Sequence, residues 1–478
     1  MEPKTPSLAE LIEALPADAM GDVSGTERAP ARVELKELLE GLRHKPIPTG
    51  RLTRLWSLGT LQAKVGAAYF AWWLRSGFMD ADKKRRGLDE THIAAAIQVL
   101  GRMSYLRGAV MKLGQVIAHW PNVLPGSFAE VLGRVYAEAP PMHFALLREH
   151  ARRELGADLA DIFDDFESEA FAAASLGQVH RARIKGTDRR VAIKIQYPDI
   201  ARTIRDDLRN LKSTFVHARL SSDFSNLLLQ YEGIQTMLEA ETNYEQEAEN
   251  MRLARNTLSG LNDVVVPKVL PEYSTRRILT MEYLDGQHLE AFKANSPTQA
   301  LRNRHAEQIS RTICRLWYQG RMIYADPHPG NFLFLPDGRL GLLDFGCCHH
   351  FSDEEFAYVM EVEHAAHGDD PDRLDRSLAR GCDLDLDDMS EERRAKMREY
   401  CDWLWEPVLT DEAFDFGRPD QFKPGVQLYG DFVKRRWTRS LPVNVWLSRT
   451  FFGVRAMLTH LEAKLHYGRI MREESAGL

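Results

Sequence analysis

The stretch 324–346, YADPHPGNFLFLPDGRLGLLDFG, contains two short apolar runs that flank a turn at Asp337. Within it, Asp326 precedes Asn331 by five residues, and Asn331 precedes Asp344 by thirteen. Mg²⁺ prefers carboxylate and amide oxygens as ligands. Two strands joined by a turn would bring these oxygens to neighbouring strand ends, so the pattern predicts a metal–nucleotide site.

The same order and spacing are those of the catalytic loop and DFG segment of protein kinases. In that arrangement Asn331 and Asp344 are the predicted magnesium ligands, and Asp326 faces the transferred group or a water molecule. DFG alone is a weak three-letter match, so the prediction depends on the order, the spacing and the hairpin context together.

Two earlier segments support this interpretation. Lys194 lies in VAIK, the pattern of the kinase lysine that neutralises the α- and β-phosphates of the nucleotide. In the acidic helical segment that follows, Glu247 is the predicted partner of Lys194. Glu282, Tyr283 and Leu284 then lead into Asp285-Gly286, a pattern that is typical of a hinge. Backbone groups of this hinge could contact adenine.

Composition limits the classes of function. The 478 residues carry a formal charge of −7 and no long basic stripe, which argues against a nucleic-acid partner. Five cysteines without a C-x-x-C spacing fit a reducing compartment. Since no basic segment leads into an apolar core at the N-terminus, we expect a cytoplasmic protein, with peripheral attachment to the inner face of a membrane as an open alternative.

Residues 1–50 are predicted to form a poorly ordered or partly helical extension. The next apolar and aromatic stretch, Leu55 to Leu74, is interrupted by Lys64 and flanked by basic residues, and three interpretations stay open. It could span a membrane, lie in the membrane interface, or pack on the rest of the protein. A longer amphipathic helix then ends in MKLGQ, where Lys112 and Gln115 are one turn apart and face the same way.

From residue 156 the pattern changes to alternating strands, predicted near 166–172, 178–185 and 190–196. Helical spacing follows from Asp199 to about Leu258, and a further helix is predicted across 300–319. Beyond Phe351 the chain reads as helical to its end. Two clusters are not predicted to bind metal: Cys347 to His350 because consecutive side chains converge poorly on one ion, and Asp383 to Asp388 because it lacks the EF-hand glycine and glutamate.

Together the motifs resemble those of the UbiB/AarF atypical kinases, also called the ADCK group, from about Ile93 to Phe351. The matching motifs are MKLGQ, AAASLGQVH, VAIKIQYP, the acidic helix C, YADPHPGN and LLDFG. The resemblance implies an α+β, protein-kinase-like bilobal fold with an N-terminal helical extension over the active site and a helical C-terminal region. It also implies binding of ATP or ADP with Mg²⁺ and a link to ubiquinone or other prenylated lipids at a membrane surface.

The resemblance also assigns residues. It gives Lys112 and Gln115 to the part of the extension that enters the pocket, and helix C of the family carries an E-x-D motif that receives the lysine. Here that motif reads Glu241, Thr242 and Asn243, so the second carboxylate is replaced by an amide that accepts a hydrogen bond but adds no charge. We expect a weaker hold on Lys112.

Three alanines and a serine, Ala172, Ala173, Ala174 and Ser175, stand where ordinary kinases have glycines that let the backbone approach the phosphates. Their side chains restrict the backbone, so we expect the nucleotide to be held differently. Together with Lys112 on the substrate side, this disfavours protein phosphorylation. The leading hypothesis is therefore a Mg²⁺-dependent ATPase that supports isoprenoid-lipid biosynthesis. A nucleotide-switched pseudokinase scaffold and a protein or small-molecule kinase are the alternatives.

The predicted domains are residues 1–50, a helical extension over 51–155, an N-lobe over 156–284 and a C-lobe over 285–478. The sequence leaves the oligomeric state open, a dimer included.

Overall fold

A computed structural model of the chain describes residues 144–174, 176–202, 204–205, 235–236, 238–368, 370–435, 437 and 440–477. Nearly all of these belong to one compact unit, formed by residues 142–198 and 219–478. The predictions for residues 1–143, including the three interpretations of residues 55–74, lie outside the described residues.

The first half of this unit contains the largest sheet, five antiparallel strands in the order β1-β3-β4-β6 with β2 paired to β3. Its elements are α1 (Phe144–Leu155), α2 (Leu159–Ile162), β1 (Phe163–Asp164), β2 (Ala172–Ala174), β3 (Gly177–Ile184), β4 (Arg190–Gln196), α3 (Tyr244–Thr257), β5 (Val264–Val265) and β6 (Ile278–Glu282). Leu147 and Ala151 of α1 are fully buried in one apolar cluster with Ile193 and Ile195 of β4. Helix α1 therefore packs on the sheet, although the predicted domain boundary placed it in the preceding extension.

The second half is mostly helical. Its elements are α4 (Leu289–Ala294), α5 (Gln299–Tyr318), β7 (Met322–Tyr324), β8 (Phe332–Phe334), β9 (Leu340–Leu342), β10 (Cys348–His350), α6 (Asp353–His367), α7 (Pro371–Gly381), α8 (Glu391–Leu409), β11 (Phe414–Asp415), α9 (Lys423–Lys434), α10 (Val443–His460), β12 (Lys464–Leu465) and α11 (Tyr467–Ser475). The short strands pair as β5-β9-β8, β10-β7 and β11-β12.

Helix α5 is the centre of this half, and it coincides with the helix predicted over 300–319. Ala306, Ile309, Ile313 and Leu316 recur at three- and four-residue spacing and are almost fully buried. They belong to the same apolar cluster as Phe332, Phe334 and Leu342 of the β8-β9 hairpin. The β8-β9 hairpin, which belongs to the predicted site, thus packs against α5.

Two sequence predictions differ from the structure in their boundaries. The strand predicted near 166–172 is replaced by β1 and β2, because Asp165 adopts a φ of 52° and turns the chain between them. Within the range of helical spacing predicted from Asp199 to about Leu258, the described part of the chain is interrupted at Asn243, whose side chain accepts a hydrogen bond from the backbone N–H of Glu245 and caps α3. Asparagine at this position competes with the helical backbone, which explains the break.

Among the described residues, no helix combines the length and the apolar character needed to cross a membrane.

Candidate active site

The centre of the site is the ammonium group of Lys194 on β4. Its Nζ donates to Glu247 Oε1 at 2.8 Å and Oε2 at 3.0 Å, and to Asp344 Oδ2 at 2.8 Å. The side chains of Lys194 and Glu247 are 9% and 1% exposed, whereas that of Asp344 is 25% exposed. Three segments that are far apart in sequence thus converge on one cation, and Asp344 is the member of the cluster that faces solvent.

The charges of this cluster shift each other's pKa. Burial alone would lower the pKa of Lys194, but the carboxylates of Asp344 and Glu247 raise it well above its ordinary value, so the group stays an ammonium. Burial would raise the pKa of Asp344, yet the Lys194 ammonium and the Gly346 N–H hold it below its ordinary value. Burial and the charge of Asp344 raise the pKa of Glu247 to about 7, against the opposing effect of Lys194. When Glu247 is ionised, two carboxylates share one ammonium, and the excess negative charge is one that a divalent cation would offset.

The DFG segment is fixed by backbone contacts. Asp344 Oδ1 accepts from Gly346 N at 2.9 Å, and Phe345 N donates to Glu247 Oε1 at 3.4 Å. The Phe345 ring is fully buried, with its centroid 5.2 Å from that of Tyr324. These contacts hold the Asp344 carboxylate toward Lys194.

The loop between β7 and β8 carries Asp326 and Asn331. Asn331 Nδ2 donates to Asp326 O at 2.8 Å and to Asp326 Oδ2 at 3.2 Å. A 3₁₀ turn, Pro329–Asn331, closes the loop, and His328 caps it by accepting from Gly330 N. Asn331 Nδ2 thereby points into the loop, which leaves the amide oxygen of Asn331 as its candidate metal ligand.

Arg449 on α10 is a further site residue, which the sequence motifs do not indicate. Its Nε donates to Ala325 O at 3.0 Å, and its Nη2 lies 3.2 Å from Asp326 Oδ1. The neighbouring Thr450 Oγ1 donates to Tyr324 O at 3.1 Å. Helix α10 is therefore hydrogen-bonded to the chain from Tyr324 to Asp326, and Arg449 places a cation beside the predicted catalytic carboxylate.

No local signal in the sequence could have identified Arg449. It lies 123 residues from Asp326 on an amphipathic helix, where an arginine is usually a solvated side chain. Here its side chain is 14% exposed. Burial would lower the pKa of Arg449, but neighbouring acidic groups, Asp326 among them, raise it above its ordinary value.

The alanine-rich strand β2 and strand β6, which leads into the hinge, belong to the same sheet as β4 with Lys194. Ala172, Ala173 and Ala174 pair with Val179, Gln178 and Gly177 of β3, and the middle alanine is exposed. The ring of Phe171, just before β2, lies 5.9 Å from the ring of Tyr283, so the strand and the hinge are in contact.

In the hinge, Glu282 N donates to Lys268 O and Tyr283 N donates to Arg190 O. The Leu284 side chain approaches Gly341 on β9. Because the amides of Glu282 and Tyr283 are engaged, the prediction that hinge backbone meets adenine now depends on the carbonyls and on Leu284.

Among the predicted regulatory residues, Lys112 and Gln115 lie outside the described residues, and so does Ser175 of the alanine-rich loop. Glu241 is 8% exposed. Asn243 caps α3, as described above, a role for which the amide is as suitable as a carboxylate. The proposed pairing of Glu241 and Asn243 with Lys112 stays a prediction.

The fold is protein-kinase-like and of the α+β type, as the sequence predicted. The features that define this class are the β-rich half, the lysine–glutamate pair on β4 and α3, and the DFG carboxylate. The ABC1 atypical kinase-like domain matches residues 134–378. The chain belongs to this family of atypical kinases, and the prediction of a UbiB/AarF protein is confirmed.

Curated relatives agree with this assignment. The "Atypical kinase COQ8B, mitochondrial" of Rattus norvegicus is 30% identical over 393 residues, which cover 80% of this chain and 72% of that protein. The "Probable serine/threonine-protein kinase abkA" of Dictyostelium discoideum is 30% identical over 376 residues, covering 71% of this chain and 62% of that protein. The chain thus spans less than two thirds of the length of abkA.

A solved structure shares the fold. It is described as the complex structure of Rv3197–erythromycin from Mycobacterium tuberculosis, with a TM-score of 0.53 and 22% sequence identity. The similarity covers 82% of this chain and 98% of that chain.

Proposed function

We propose that the chain binds ATP or ADP together with Mg²⁺ and hydrolyses ATP in support of ubiquinone or other isoprenoid-lipid biosynthesis. The observation that carries the proposal is the cluster in which Lys194 Nζ lies 2.8 Å from both Glu247 and Asp344. A phosphoryl-transfer site needs one fixed cation for the phosphates and oxygen ligands for a metal ion.

The residues present fit such ligands. Asp344 is the partly exposed carboxylate of the cluster, and the Asn331 amide oxygen belongs to the adjacent loop. These are the donor types that Mg²⁺ prefers. When bound, Mg²⁺ would neutralise phosphate charge, and Lys194 would shift from Asp344 toward the phosphates while Glu247 keeps the ammonium oriented.

Asp326 is the proposed catalytic residue. Its Oδ1 lies beside Arg449 and its Oδ2 accepts from Asn331, so both oxygens have a fixed direction. A carboxylate held in this way is well placed to orient a water or a small hydroxyl near the phosphate. Support for hydrolysis over protein phosphorylation comes from the alanine methyl groups of β2, since they restrict the backbone that lies over the nucleotide in ordinary kinases.

The link to isoprenoid lipids is the part of the proposal that depends on the family alone. Relatives carry the name COQ8, and the UbiB/AarF resemblance associates the family with prenylated quinones at membrane surfaces. A prenylated lipid or quinone intermediate and a membrane surface are therefore the proposed partners, besides the nucleotide. The proposed location is the cytoplasm, with peripheral attachment to the inner face of a membrane as the alternative.

The test is release of inorganic phosphate from ATP by the full chain, with Mg²⁺ and with vesicles or a quinol-like additive. We expect Asp326→Asn to reduce the rate at least about a hundredfold, the usual contribution of a positioned acid–base group. The matched control is Asp411→Asn, the same exchange on an exposed loop carboxylate, and it should leave the rate unchanged.

Other outcomes would replace the proposal. Nucleotide binding without turnover under every addition would favour the nucleotide-switched scaffold. Transfer of labelled phosphate to a protein or small molecule, abolished by Asp326→Asn, would favour a kinase.

A further inference from the structure

Helix α3 contacts the DFG segment through a second side chain, Asn250. This residue is 2% exposed and lies three positions after Glu247, so both side chains project from the same face of the helix. Its Nδ2 donates to Phe345 O at 2.9 Å. Phe345 N donates to Glu247 Oε1 on the same helix. Both backbone polar groups of Phe345, the residue after Asp344, are therefore held by α3.

The orientation of the Asn250 amide is fixed from its other end. His350 Nε2 lies 2.9 Å from Asn250 Oδ1, and Gln246 Nε2 donates to the same oxygen at 3.3 Å. Because Oδ1 accepts, Nε2 of His350 carries the hydrogen, and the amide presents its donor to Phe345 O. His350 is on β10, which pairs with β7 directly before the loop that bears Asp326.

The consequence for Asp344 follows from the chain geometry. The carboxylate of Asp344 is oriented by Lys194 on one oxygen and by Gly346 N on the other. If Lys194 turns toward the phosphates, its contact with Asp344 weakens, and the backbone from Asp344 to Gly346 then depends on the Phe345 contacts with α3. A buried carbonyl without a donor costs about 1–3 kcal/mol, which is enough to allow an alternative path of the segment.

We propose that Asn250 is a positioning residue, whose hydrogen bond to the Phe345 carbonyl holds Asp344 in the orientation that receives a divalent cation. The cation part of this inference rests on the proposed function, whereas the clamp on Phe345 does not. Asn250 acts through the backbone and does not itself touch the metal or the nucleotide.

The first arm of the test needs no nucleotide. Hydrogen exchange is followed by mass spectrometry in a peptide spanning residues 342–350 of the full chain. Asn250→Leu keeps the volume and removes the donor, so exchange of the Phe345 and Gly346 amides should accelerate about tenfold. The matched control is Asn256→Leu, the same exchange at an exposed position of α3, about two turns further along the helix. Its exchange should stay within about twofold of the wild type.

The second arm measures binding of a fluorescent ADP analogue with and without Mg²⁺. For Asn250→Leu we expect the Mg²⁺ concentration at half-saturation to rise about tenfold, while metal-free affinity stays within about twofold. A merely structural role would weaken both affinities together. His350→Ala removes one hydrogen bond to Asn250 Oδ1, so it should accelerate exchange and raise the Mg²⁺ midpoint about threefold each. This variant replaces Asn250→Leu if Asn250→Leu does not fold.

The outcomes separate the two proposals. Unchanged exchange in Asn250→Leu overturns the clamp, whatever the nucleotide results. Accelerated exchange with an unchanged Mg²⁺ midpoint overturns the role toward the cation. Absence of Mg²⁺-dependent binding in the wild type overturns the proposed function and the cation part together, while the exchange data still decide the clamp.

Discussion

Replacing Arg449 with methionine should destabilise the protein and impair the catalytic loop. The arginine donates to Ala325 O and to Asp326 Oδ1, and its side chain is 14% exposed while that of Asp326 is 28% exposed. Breaking a buried ion pair by removing one partner typically costs about 3–5 kcal/mol. Because Asp326 retains some contact with solvent, we expect the lower end, about 3 kcal/mol of unfolding free energy.

The assay is a double-mutant cycle in urea with Arg449→Met and Asp326→Asn, singly and combined. The pair should show a coupling energy of about 1.5–3 kcal/mol, as expected for a hydrogen bond between charged groups. In ATP turnover, Arg449→Met should lower kcat at least about tenfold with little change in KM, because Arg449 contacts the loop and not the hinge. Arg469→Met on α11, where the arginine side chain is 55% exposed, is the control. A coupling energy within about 0.3 kcal/mol of zero would show that Arg449 and Asp326 do not stabilise each other.

Two further predictions concern Glu247 and Gly453. The pKa of Glu247 in the folded protein is raised from 4.5 to about 7, so protonation of Glu247 contributes stability that is full below about pH 4.5 and is lost as the pH rises through 7. Between these limits the wild type should lose about 3 kcal/mol of unfolding free energy relative to Glu247→Gln. Urea unfolding at several pH values measures this loss, and parallel pH profiles for the wild type and the variant would contradict the prediction. A Cβ at Gly453 of α10 would lie 2.5 Å from Pro327 Cγ, so Gly453→Ala should displace the loop that contains Pro327. After the gain in helix propensity of about 1 kcal/mol, the net destabilisation should be about 1 kcal/mol. Thermal unfolding measures this change, and an increase in Tm would show that the loop moves aside without cost.

The parts of the site that could be predicted are those encoded by local spacing. Asp326, Asn331 and Asp344 lie within one hairpin, so their separations along the chain constrain their separations in space. Lys194 and Glu247 required the kinase pattern, since the acidic segment offers several glutamates at helical spacing, and only the fold decides which of them faces β4.

The parts that could not be predicted depend on packing between distant elements. Arg449 and Asn250 look like ordinary polar helix residues, and their roles arise only when α10 and α3 dock against the loop and the DFG segment. The break at Asn243 was missed for a different reason: an asparagine within a charged helical run is weak evidence for a cap unless the following turn is known.

Calorimetric titration of the full chain with ATP, in the presence and absence of Mg²⁺, tests directly whether Lys194, Glu247 and Asp344 form a metal–nucleotide site. We expect Mg²⁺ to strengthen binding to the wild type at least about tenfold, which is 1.4 kcal/mol, and Asp344→Asn to abolish this gain. Equal binding with and without Mg²⁺, or a gain that persists in Asp344→Asn, would show that these residues do not form such a site.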